Sequence, residues 1–133
     1  MPGQNPNKQV VFDAKKAPTT AYGSTIIVSG TTVFLAGAIG DRDGKLIDGD
    51  IKDRTLQAFG NVADRLSVIG LTLEDVVSIT IYLSKYNEDF ASMNEAYGSL
   101  PWGDEKPCRT CVGVAALPAG TDIEVTVVAA KRA

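Results

Sequence analysis

The sequence predicts an α+β domain in which two helices lie on one face of a single β-sheet. Two observations carry this. Apolar residues recur at spacings of three and four in two windows, 51–69 and 87–100, and elsewhere fall in short β-rich runs. In chain order these give β, β, β, α, β, α, β, β, so strands outnumber helices and the helices suffice for one sheet face. A length of 133 residues and a 44% hydrophobic content suit one soluble domain, 1–133, with material for one core.

Each element has a local reason. Residues 1–7 are polar and are expected to form a disordered tail. Gln9–Phe12 reads as a short strand, and Ala17–Gly23 as a loop broken by Pro18 and Gly23. Ser24–Val28 and Thr32–Leu35 meet at Ser29-Gly30-Thr31, a hairpin signal. Asp41-Arg42-Asp43-Gly44-Lys45 is a polar turn whose spacing does not fit a calcium loop.

The first helix is predicted over Ile51–Ile69, with Leu56, Phe59, Val62 or Ala63, Leu66 and Ile69 on its apolar face. Asp50 fits the N-cap, Asp53 the positive dipole end and Gly70 the C-terminal stop. Gly60 costs about 1 kcal/mol against alanine inside a helix, which suggests close packing there. Val76–Leu83 alternates Val77, Ile79, Ile81 and Leu83 against Ser78, Thr80 and Tyr82, giving a strand with one core face. Asn87–Leu100 is the second helix, capped by Asn87, with Phe90, Met93, Tyr97 and Leu100 as a core stripe. Thr110–Leu117 and Ile123–Ala130 are the last strands. The sheet face away from the helices still carries Val and Ile, so it is expected to be buried against copies of the same chain.

Composition excludes several functions. The net charge of −3 and a pI of about 4.8, without a basic stripe, argue against a nucleic-acid partner. No 18-residue apolar run suggests a membrane span, and the polar start suggests no signal peptide, so the cytoplasm is the expected location. Histidine is absent, which excludes a Ser-His-Asp triad and a histidine metal site. Cys108 and Cys111 form a C-x-x-C, but no second pair completes a zinc site. In a strand, residues three apart face opposite ways, which also disfavours a redox pair.

The chemistry-bearing stretch is Pro107-Cys108-Arg109-Thr110-Cys111-Val112, followed by Ile123-Glu124-Val125. Strand alternation puts Arg109 and Cys111 on one face. The guanidinium is a permanent planar fork suited to a carboxylate, and an isolated Glu124 in an apolar strand is suited to proton transfer. The plainer alternative is that Arg109 and Glu124 pair across strands or sit on a solvated face.

These segments resemble the Rid (YjgF) family of reactive-intermediate deaminases, whose signature reads roughly P-x-R-[ST]-x-V, a Leu-Pro turn, then [IV]-E-[IV]. Ala17-Pro18, Val33–Gly37 ending in Ala36-Gly37, Gln57-Ala58 with Asn61, and Asp89–Tyr97 also match, so the likeness runs from about Ala17 to Lys131. The resemblance implies a chorismate-mutase-like fold, a homotrimer, clefts between subunits, and hydrolysis of enamines or imines such as 2-aminoacrylate to keto acids and ammonia. It implies no cofactor and no metal. Arg109 would bind the substrate carboxylate and Glu124 would sit near the attacking water. Cys111 would add backbone contacts, Asn94 would line the cleft, and Ala36-Gly37 would approach the ligand through its backbone.

Three positions depart from the family pattern. Ala36 stands where a serine is usual, Gly113 where a polar residue is usual, and Gly23 where the loop tyrosine falls, with Tyr22 one residue before. A lost hydroxyl alters polar complementarity and hence substrate choice. The expectation is therefore a deaminase of a small carboxylate-bearing enamine or imine. The alternatives are a pathway-specific deaminase, as for an aminomuconate-type substrate, and non-catalytic binding of small keto acids in the same clefts. A ribonuclease reading fits poorly with the acidic pI and the missing histidine.

Overall fold

The computed structural model describes residues 4–11 and 23–133. Phe12, the Ala17-Pro18 loop and Tyr22 lie outside the described residues. One mixed sheet is built from β1 (Gln9–Val10), β2 (Ile26–Ser29), β3 (Thr32–Leu35), β4 (Ala38–Ile39), β7 (Val76–Leu83), β8 (Cys108–Gly113) and β9 (Ile123–Ala130). It runs in the order β1-β2-β3-β9-β7-β8, with β4 also paired to β9. Helices α1 (Ile51–Val68) and α2 (Tyr86–Gly98) pack on one face. Among the described residues, all pairings are antiparallel except β7 with β8, which the α2 crossover makes parallel. The α+β reading therefore holds.

Helix α1 begins and ends as its sequence dictates. Asp50 accepts from the Asp53 N–H at 3.1 Å, and Asp53 accepts from the Asp50 N–H at 3.0 Å, a reciprocal capping box. At the other end Gly70 takes a φ of +73°, and the N–H groups of Gly70 and Leu71 return to the carbonyls of Ser67 and Leu66. That is a Schellman stop, with Leu66 and Leu71 both buried. The buried stripe is Ile51, Thr55, Ala58, Phe59, Val62 and Leu66, so Leu56, expected in it, is instead exposed. Thr55 takes that place because its hydroxyl donates to the Ile51 carbonyl at 2.7 Å and needs no water.

Gly60 is a second correction: a Cβ built there meets nothing within 4 Å, so close packing is not its reason. Gly60→Ala is expected to stabilise the fold by about 0.5–1 kcal/mol, read as a raised midpoint in urea with an unchanged slope.

Other elements shift for physical reasons. Asn5–Lys8, expected partly within the disordered tail, form a turn in which Asn7 N–H donates to Asn5 Oδ1 at 2.9 Å. The polar turn at 41–45 is a small hairpin of β5 (Asp41–Arg42) and β6 (Lys45–Leu46). Asp43 and Gly44, both at positive φ, make the Asp-Gly turn that two-residue hairpins favour. A register shift between Val76 and Ser78 turns Val77 outward, where it is 50% exposed rather than in the core. Helix α2 starts at Tyr86, not Asn87, and Lys85 gives its N-cap no side-chain bond. Tyr86 stacks on Phe90 with ring centroids 5.1 Å apart and fills the space above Gly113, so packing rather than capping places this end. β8 stops at Gly113 instead of reaching Leu117, since its partner β7 ends at Leu83.

The core lies between helices and sheet: Ile79, Ile81 and Leu83 of β7 and Ile123, Val125 and Val127 of β9 meet Phe59, Val62, Leu66 and Met93. The opposite face carries Ile27, Phe34, Ile39, Val112 and Val128 among Thr80, Tyr82 and Thr126. Phe34 is 48% and Val112 37% exposed there.

Candidate active site

Arg109 lies on the edge strand β8 opposite Ile79 of β7, so it shares the helix-covered face of the sheet with Cys111, which lies opposite Ile81. Its Nη1 donates a short hydrogen bond to Asn94 Oδ1 on α2. The guanidinium lies 4.7 Å from the Tyr97 ring centre and 5.9 Å from that of Phe90. These are cation–π distances. Residues 90, 94 and 97 are three and four apart, so one face of α2 delivers all three contacts.

This cradle is backed by the core. Tyr97 packs on Phe59 at 5.7 Å and Trp102 at 4.9 Å, and the Trp102 indole N–H donates to the Tyr97 carbonyl at 2.9 Å. Burial pushes the Tyr97 phenol and the Cys111 thiol up from their ordinary values, with the Arg109 charge opposing the rise in each. Both groups are therefore protonated near neutral pH. Cys108 and Cys111 are free thiols on opposite faces of β8, as strand alternation requires.

Glu124 stands elsewhere. It pairs in register with Tyr82 on one side and Ile39 on the other, between the buried Ile123 and Val125. Alternation turns it to the face that no helix covers. Its carboxylate rests on Gly37: a Cβ there would lie 2.8 Å from Oε2 and 3.0 Å from Cδ. Ala36 is exposed beside it and supplies no hydroxyl. The segment under Glu124 is held from α1. Asn61 donates to the carbonyls of Ile39 at 2.9 Å and Asp41 at 3.0 Å. The Arg54 guanidinium forks onto both Asp122 oxygens at 2.7 Å, which anchors the start of β9.

The structure thus brings Arg109, Asn94 and Cys111 together, and Glu124, Gly37 and Ala36 together, but not the two groups. An Arg109–Glu124 pair across strands is ruled out within one chain, because the sheet lies between them. Phe90 and Tyr97 belong to the Arg109 group although their spacing reads as core. Both are half-buried, serving core and cradle at once. An asparagine interrupting an aromatic stripe was the sequence signal for this. Among the described residues, no cluster of three or more His, Cys, Asp or Glu is arranged to hold a metal ion. Among the described residues, no helix is long and apolar enough to cross a membrane.

A family model described as Endoribonuclease L-PSP matches residues 13–131. The chain belongs to this family, that of the Rid (YjgF) proteins. The RutC family protein PH0854 of Pyrococcus horikoshii is 37% identical to this Rid chain over 127 residues, 94% of this chain and 99% of that protein. The 2-iminobutanoate/2-iminopropanoate deaminase of Rattus norvegicus is 33% identical, over 91% of this chain and 89% of its own length. Among solved structures, YyfA of Yersinia pestis, a Rid protein of unknown function, superposes with a TM-score of 0.83 at 29% identity, covering 92% of this chain and 98% of that one.

Proposed function

We propose that this Rid protein hydrolyses small carboxylate-bearing enamines or imines to keto acids and ammonia, in clefts formed between the copies of a homotrimer. The observation that carries this reading is the state of Arg109. Its guanidinium is held by an amide and two aromatic rings and pairs with no carboxylate among the described residues. A planar cation so oriented is suited to a ligand carboxylate, bound through two parallel N–H bonds.

Histidine is not needed. An imine carbon is already electrophilic, so a positioned water and one carboxylate suffice. An enamine first tautomerises to the imine, taking a proton on its β-carbon and losing one from nitrogen. Glu124 then accepts a proton as water adds its oxygen to the imine carbon, and the nitrogen is protonated as the C=N electrons move to it. The carbinolamine hydroxyl then gives up its proton and the amino nitrogen takes one, so that collapse forms the C=O, breaks the C–N bond and releases ammonia. Water is the only co-reactant.

Because the sheet separates Arg109 from Glu124, one copy would supply the carboxylate clamp and its neighbour the base. The apolar face around Phe34, Val112 and Val128 supports the contact between copies. Sedimentation equilibrium at micromolar concentration is expected to give three times the 14.0 kDa chain mass, and a monomer would sink the shared site. The activity is tested by ammonia and keto-acid release from freshly generated 2-aminoacrylate and 2-iminobutanoate, with acceleration over buffer expected. The Ala36 methyl favours one second reading, a cleft that binds keto acids without turnover. Binding of pyruvate without acceleration would select it.

A further inference from the structure

Arg65 is a half-buried cation that neither the core nor the proposed chemistry explains. It projects from α1, its Nη1 donates to the Ala36 carbonyl at 2.8 Å, and its Nε is buried with no partner among the described residues. Burial disfavours its charged form. The residue it grips precedes Gly37, on which the Glu124 carboxylate rests. The Ala36 N–H is committed as well, donating to the Thr25 carbonyl at 2.9 Å.

We infer that Arg65 is a positioning residue that fixes the Ala36–Gly37 peptide so that the Gly37 N–H stands as an oriented donor beside Glu124. The peptide is trans, as are all those described, so its C=O and N–H point in opposite directions. Arg65 draws the carbonyl toward α1. The Gly37 N–H is thereby turned toward the face that holds Glu124. A cation on the carbonyl also polarises the amide and strengthens its N–H as a donor. An N–H fixed in this way stabilises negative charge developing on a reacting atom without reorganising. The buried, partly unsatisfied guanidinium is then the cost of a pre-set donor.

This inference rests on the deaminase reading for its kinetic effect but not for its geometry. The test therefore has two readouts, with Arg65→Met removing the donors and keeping the stem, and Arg65→Lys restoring one donor. Arg65→Met is expected to lower kcat for 2-iminobutanoate by about 10–100-fold. KM is expected to stay within about threefold, since Arg109 holds the carboxylate, and Arg65→Lys to recover most of kcat. In the second readout, pyruvate is expected to shift the Gly37 amide resonance in wild type and Arg65→Lys but not in Arg65→Met. An unchanged kcat in folded Arg65→Met would overturn the inference. Should wild type show no turnover, the deaminase reading fails and the amide alone decides. No Gly37 shift in wild type, or an equal shift in Arg65→Met, then overturns the role of Arg65.

Discussion

Glu124→Gln is expected to lose most of the deaminase rate, about 10²–10⁴-fold, while still binding a small keto acid. Amidation keeps the size and polarity of the side chain, so the close fit against Gly37 survives. What is lost is the basic oxygen that accepts the proton of water. An interaction used only in the transition state lowers kcat and kcat/KM together, which is the kinetic signature to look for. Stopped-flow loss of imine absorbance, with pyruvate affinity measured in parallel by calorimetry, separates the two quantities. A variant as active as wild type would mean that another group activates water.

Arg109→Lys is expected to weaken carboxylate binding by about 1–3 kcal/mol although the charge is kept. Three features of the cradle require a guanidinium. The Asn94 oxygen takes one N–H and leaves the rest of the fork for the ligand. The Tyr97 ring centre at 4.7 Å suits a flat cation better than a compact ammonium. The edge position on β8 leaves the fork on the sheet margin, where a second copy can approach. Calorimetry with pyruvate reads the loss, and equal affinity would show that the carboxylate is held elsewhere.

Much of this was legible in the sequence, for reasons that differ by element. The ends of α1 were legible because Asp50, Asp53 and Gly70 act locally, through bonds that the chain makes to itself within a few residues. The alternation of Ile123, Glu124 and Val125 announced a charged residue on a strand with a buried face. What alternation does not reveal is how two strands stand in register. Arg109 and Glu124 are separated by the parity of their pairing with β7, where Arg109 falls opposite Ile79 and Glu124 opposite Tyr82. A one-residue slip in either pairing would have put them on the same face. Val77 was misplaced for a related reason, a bulge that no propensity encodes. Phe90 and Tyr97 looked like core because helix periodicity marks a face but does not say what lies beyond it. Arg65 gave no signal, since its meaning depends on a carbonyl 29 residues away.

The central claim is that one functional cleft takes Arg109 from one copy and Glu124 from its neighbour. It is tested most directly by mixing two inactive variants, Arg109→Ala and Glu124→Gln, and letting them assemble together. Neither variant alone carries a complete cleft. In a closed ring of three, every mixed trimer has one junction where an intact Arg109 meets an intact Glu124, so equal mixing is expected to restore about a quarter of the wild-type rate. Activity that stays at the level of the separate variants, in trimers shown by mass to be mixed, would contradict the shared cleft.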